Sequence, residues 1–156
     1  MSNTMNLFVS HKGEDEERID DFKKLMAKKG YEFRDSSIRE SEPNKAQNDD
    51  YIKYKILKPA IDWAGTMVVL LSDGTHESEW VDWEIEYAMK HNKRIIGVFL
   101  PGEKNAELPD PLKEIGDSCV SWNADRIDKA IKDETPIWED ADGNSFSPNS
   151  PNRTTC

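Results

Sequence analysis

Cysteine and histidine are scarce in this chain, and long apolar runs are missing. The two cysteines are Cys119, inside an apolar stretch, and Cys156, so neither a disulfide framework nor a cysteine metal site is expected. The three histidines, His11, His76 and His91, fall on separate segments without metal-binding spacing. No metal is expected. No run approaches the ~20 apolar residues that span a bilayer, and residues 1–6 lack the basic-then-apolar order of a secretory leader. The expectation is a cytoplasmic chain without membrane contact. Basic charge is also short, with 21 Lys and Arg against 31 Asp and Glu and a formal net charge of −10. Broad contact with a nucleic-acid backbone needs a basic surface and is not expected, although a local pocket can still hold one small anion. Neither a phosphate loop ending in Gly-Lys-Ser/Thr nor the nucleophile elbow of serine hydrolases is present. Residues 140–144 have the acid spacing of a calcium loop, but the glycine comes too early and Pro151 stands where the bidentate Glu belongs.

What is present is an ordinary globular composition: 156 residues, 36% hydrophobic and 33% charged, enough for one domain with a real core. Apolar runs at 6–11, 31–34, 66–71, 94–100 and 118–122 read as strands, that at 66–71 as a central parallel one. Helical periodicity covers 14–29, where Ile19, Phe22, Leu25 and Met26 share a face, acids fill the first turn, lysines the last, and Gly30 follows. Further helices are predicted over 50–63, with Pro59 kinking or dividing it, over 77–91 and over 124–133. Residues 103–116 are punctuated by proline and glycine and resist assignment. Alternating strands and helices imply an α/β fold, a parallel sheet of about five strands with helices on both faces. The domain is expected to span 1–139, with 140–156 a loosely held tail rich in Ser, Asn, Pro and Asp.

Ligands of such sheets bind beyond the carboxyl ends of the strands. That directs attention to residues 10–14, 35–50 and 72–80. In the last helix-forming stretch, Val81, Ile85 and Ala88 form the expected apolar stripe, and Trp80 and Glu84, four apart, are neighbours on an adjacent strip. An aromatic plate beside a carboxylate suits a nucleotide: the ring stacks, and the carboxylate faces a sugar whose oxocarbenium-like transition state it can stabilise. The bland alternative is a solvated helix face, which is the reading of Glu79, Asp82 and Glu86. Ser10 and His11 likewise read equally well as the satisfied polar end of a buried strand.

Residues 8–15, Phe-Val-Ser-His-Lys-Gly-Glu-Asp, resemble the opening strand and loop of TIR domains. Phe33-Arg34-Asp35 resembles the end of their second strand, and residues 67–72 with Ser78-Glu79-Trp80 and Glu84 resemble their third strand and Trp-x-x-x-Glu helix. Lys58-Pro59 and the run 80–84 are most similar to the bacterial TIR-like group that includes the TIR proteins of Thoeris anti-phage defence. The resemblance implies a flavodoxin-like, TIR-like fold and an enzyme that consumes NAD as substrate, with no separate cofactor. Carried over by position, Glu84 is the catalytic carboxylate, and Ser10, His11, Lys12, Asp35, Ser72 and Trp80 line the substrate site. The implied reaction cleaves the nicotinamide–ribose bond, as an NAD glycohydrolase or ADP-ribosyl cyclase, and makes a cyclic ADP-ribose-type signal. A separate effector then responds to that diffusible product, and the enzyme self-associates. Residues 35–50 are the candidate lid, longer and more polar than the usual TIR loop. The competing reading is a non-enzymatic adaptor that keeps Trp80 and Glu84 as structural residues. A phospho-receiver is disfavoured because the first strand lacks a following acidic pair and the fifth a lysine. A deoxyribosyltransferase-like choice of substrate stays open.

Overall fold

The run Thr66–Leu71 (β3), buried at every position, is the middle strand of a five-stranded sheet in the computed structural model, which describes residues 5–35, 57–104, 106–132 and 136–145. Six successive β-branched and aliphatic positions suit a strand covered on both faces. Asn6–Ser10 (β1) and Glu32–Asp35 (β2) lie to one side of it, Arg94–Phe99 (β4) and Ser118–Val120 (β5) to the other, in the order β2-β1-β3-β4-β5. Every neighbouring pair is parallel. Around them stand Ile19–Met26 (α1), Lys58–Trp63 (α2), Glu79–Lys90 (α3), Asp110–Ile115 (α4) and Ala124–Lys132 (α5). This is the expected α/β architecture, flavodoxin-like in its strand order.

The two-residue period of the strands divides the core into two layers. Phe8, Met67, Val69 and Leu71 join Ile61, Val81, Ile85 and Leu112 on the side of α2, α3 and α4. Leu7, Val9, Val68 and Leu70 join Phe22, Met26, Ile127 and Ala130 on the side of α1 and α5. Gly97 in β4 lets α4 sit close: a Cβ there would lie 2.8 Å from a Leu112 methyl and 3.1 Å from a Leu71 methyl.

Several boundaries differ from the sequence expectation. The helix predicted over 14–29 is a 3₁₀ segment, Gly13–Arg18, then α1, then a second 3₁₀ turn, Ala27–Lys29, closed by Gly30 at φ +80°. In the first segment Asp15 is turned inward and buried, so the acidic run is not merely a solvated helix start. Pro59 falls in the first turn of α2, where its missing N–H leaves no helical bond unmade. The earlier part of that predicted helix, 50–56, lies outside the described residues, as does the candidate lid apart from Asp35. The stretch that resisted assignment contains α4, with Pro111 again in a first turn. Residues 137–139 run beside β5: Cys119 N–H donates to the Ile137 carbonyl at 2.7 Å, and Glu139 N–H to the Cys119 carbonyl at 2.8 Å. Buried Glu139 is then paired with Arg126 of α5. Asp140 accepts the N–H groups of Asp142 and Asn144, each at 2.9 Å, in a turn completed by Gly143 at φ +86°. No helix among the described residues is long and apolar enough to cross a membrane.

Candidate active site

In a sheet of this order the chain's direction of winding reverses between β1 and β3, and the crevice beyond their carboxyl ends is the natural ligand position. Ser10 is the last residue of β1, and the loop after β3 leads through a 3₁₀ turn, Thr75–Glu77, into α3. Ser78 caps α3 by accepting the Val81 N–H at 3.2 Å, which fixes where the helix begins and hence which residues face the sheet.

The inward set on α3 is Val81, Glu84, Ile85 and Ala88. Spacings of three, one and three are those of a core stripe. Glu84 therefore occupies a core position, not the flanking strip expected from sequence, and its exposure is 0%. Glu79 and Glu86 on the same helix are exposed. Asp82 is half-buried, and burial first, then the Glu86 charge, push its pKa up. A carboxylate placed among apolar side chains is costly unless hydrogen-bonded. Ser10 Oγ donates to Glu84 Oε1 at 2.8 Å, a bond that spans 74 positions in sequence. Trp80, one turn before Glu84, is half-buried against the same layer of the core.

The other expected site residues are gathered elsewhere. Alternation along β1 turns His11 toward the α1 layer. Its Nδ1–H donates to the Lys12 carbonyl at 2.8 Å, and its Nε2 lies 3.6 Å from Asp35 Oδ1. Lys23 of α1 reaches the other Asp35 oxygen at 3.3 Å. Ser72 also falls on this side: its hydroxyl donates to Asp15, and its N–H donates to Thr75 Oγ1 at 2.9 Å. Lys12 extends across the strand ends and donates to the Asp73 carbonyl. Arg18 ties the same edge to the loop after β4, donating to Glu103 at 2.8 Å and to the Pro101 carbonyl at 2.7 Å. Ser10, Trp80 and Glu84 thus share one side of the sheet, while His11, Asp35 and Ser72 share the other and meet it only along the carboxyl-terminal rim. Asp15, Lys23 and Thr75 join this rim although sequence reasoning had not singled them out. Nothing in an acidic run distinguishes Asp15 from Glu14, Glu16 and Glu17. Among the described residues no group of three His, Cys, Asp or Glu is arranged to hold a metal ion.

A parallel sheet wound in this order, with a hydrogen-bonded carboxylate from the third crossover helix at its switch point, defines a flavodoxin-like domain of the TIR-like kind. Residues 8–105, well over half of the chain, match the family described as the TIR-like domain of the Thoeris protein ThsB. The chain belongs to that family and is a defence-related TIR module. A comparison with curated proteins gives no match.

Proposed function

We propose that this domain cleaves NAD at its nicotinamide–ribose bond and passes the ADP-ribosyl group to a nucleophile within the same molecule, making a cyclic nucleotide signal. The observation that carries this reading is the position of Glu84: no acid among the described residues is more deeply buried, and it is held by Ser10 at the switch point. A carboxylate fixed in low-dielectric surroundings stabilises positive charge that develops on a ribosyl carbon far more than one in water would. As the C1′–N bond breaks, its electron pair leaves with nicotinamide and Glu84 faces the oxocarbenium-like centre. A ribose hydroxyl or base nitrogen of the same ADP-ribose then bonds to C1′ and a proton is released to solvent, and proximity favours that closure over attack by water. Trp80 is the stacking surface, and the rim residues Lys12, His11, Asp35 and Ser72 border the entrance. The domain acts in the cytoplasm on NAD, without a further cofactor, and its product acts on a separate effector.

Full burial of Glu84 also has a consequence for regulation: substrate reaches the carboxylate only after a movement that exposes it, which suits an enzyme silent until a trigger or self-association opens it. The same burial favours a second reading, a non-enzymatic adaptor in which Ser10 and Glu84 are a satisfied core pair. The two separate in one experiment. Purified chain is mixed with NAD, alone and in lysate from phage-infected cells, and nicotinamide and ADP-ribose species are followed by mass spectrometry. The expected result is nicotinamide release that falls by roughly two to three orders of magnitude in Glu84→Gln and persists in Asp82→Asn and Glu86→Gln. The co-product's mass distinguishes cyclisation from hydrolysis. NAD left intact by folded protein under both conditions assigns the adaptor role.

A further inference from the structure

Trp83, Tyr87 and His91 follow one another at four-residue spacing along one flank of α3 and its C-cap, Trp83 and Tyr87 half-buried against the core, and their rings stack. Trp83 and Tyr87 have centroids 5.4 Å apart and planes 20° apart; Tyr87 and His91 have centroids 4.1 Å apart and planes 28° apart. The ladder is anchored from α2, because the Tyr87 hydroxyl donates to both Asp62 carboxylate oxygens at 2.9 and 3.0 Å. Beside it opens a cavity of about 310 Å³ lined by Lys58, Trp83, Glu86, Tyr87, Lys90 and His91. Lys58 Nζ stands 5.4 Å from the Tyr87 ring centroid. Lys58 and Lys90 are the cations of the lining, set against Glu86 within it and Asp62 behind Tyr87 and His91, so the site is locally balanced on a chain of net charge −10.

We propose that this cavity is a second ligand site, separate from the Glu84 crevice, and that it takes a mononucleotide-like anion. The faces of Tyr87 are taken by Trp83 and His91, so a flat base meets this ladder at its ring edges or at a terminal ring. Lys58 and Lys90 meet a phosphate as charge-assisted donors, and Glu86 can accept from a ribose hydroxyl. The volume lies at the low end of the ~300–1,000 Å³ range of small-molecule pockets, which suits one nucleotide and not two. Nothing in this assignment depends on the reaction proposed for Glu84.

The test is calorimetric titration of the full chain with adenosine monophosphate, and separately with adenosine and with inorganic phosphate. Saturable binding of the nucleotide is expected, with each fragment weaker. Lys58→Ala and Lys90→Ala should each weaken the nucleotide roughly tenfold, the usual effect of losing a charged hydrogen bond, while Glu84→Gln leaves it unchanged. Absence of saturable binding overturns the proposal. So does binding that is kept at full strength in both lysine variants, which would place the nucleotide elsewhere, the crevice included. Should Lys58→Ala or Lys90→Ala instead alter the sedimentation of the unliganded chain without affecting titration, the face is an interface between copies and the proposal fails.

Discussion

Ser10 and Glu84 illustrate how a single hydrogen bond can decide the meaning of a residue. In sequence, Glu84 is one acid among several on a helix. In the fold it is fully buried and takes a proton donor from the end of β1. Removing the donor takes one hydrogen bond from a buried carboxylate, which costs about 1–3 kcal/mol. Ser10→Ala should therefore lower Tm by roughly 3–10 °C for a chain of this size, as thermal unfolding followed by circular dichroism would show. Glu84→Gln should behave in the opposite way, melting no lower than the parent, because a neutral amide is cheaper to bury and its oxygen can still accept from Ser10. An unchanged Tm in Ser10→Ala would mean that the hydroxyl is dispensable to the carboxylate.

At the scale of elements, the five strands are legible as short continuous apolar runs, as expected of strands covered on both faces, and the larger helices because their apolar residues repeat every 3.6 positions. Thr66–Leu71 matches its prediction end to end. The helix Asp110–Ile115 was not legible: Pro109, Pro111 and Gly116 read as loop punctuation, although a proline in a first turn breaks no helical bond. The acidic stretch before α1 was misread for a different reason, since charge pattern does not reveal that Asp15 folds inward to Ser72. The depth of Glu84 did leave a signal, the 81-84-85-88 stripe, but its pairing with Ser10 joins elements far apart in the chain and leaves no local trace. Packing between elements makes its own prediction. Gly97→Ala would push a methyl against Leu112, Leu71 and Cys119, with contacts of 2.8, 3.1 and 3.3 Å. Overpacking of this kind costs about 1–3 kcal/mol, visible as a lower urea midpoint with an unchanged slope; a midpoint equal to the parent's would show that α4 shifts freely.

Over the whole molecule, two tyrosines fasten elements on opposite faces of the sheet, Tyr31 tying the segment before β2 to α5 and Tyr87 tying α3 to α2. Tyr31 donates to Asp128 of α5, and Tyr87 to Asp62 of α2. Burial first, then these carboxylate partners, raises both phenols, Tyr87 to about 12. The folded state therefore holds these protons more tightly than the unfolded chain, whose tyrosines ionise near 10. The stabilisation is complete below that pH and is lost as pH rises through the folded values. Stability should thus decline above about pH 10, and the Tyr31→Phe/Tyr87→Phe double variant should flatten that alkaline limb in denaturant titrations. A limb of equal steepness would mean that other groups govern it.

The opposite orientations of Ser10 and His11 carry a further consequence. Two adjacent letters, the last of β1 and the one that follows it, are addressed to different sides of the molecule, one to Glu84 and one to Asp35. A strand is in this sense read in two frames at once, and a one-residue insertion or deletion within β1 would exchange the messages, presenting an imidazole to the buried glutamate and a hydroxyl to the aspartate. Point changes at either letter leave the other side's grammar intact, whereas a shift of frame garbles both.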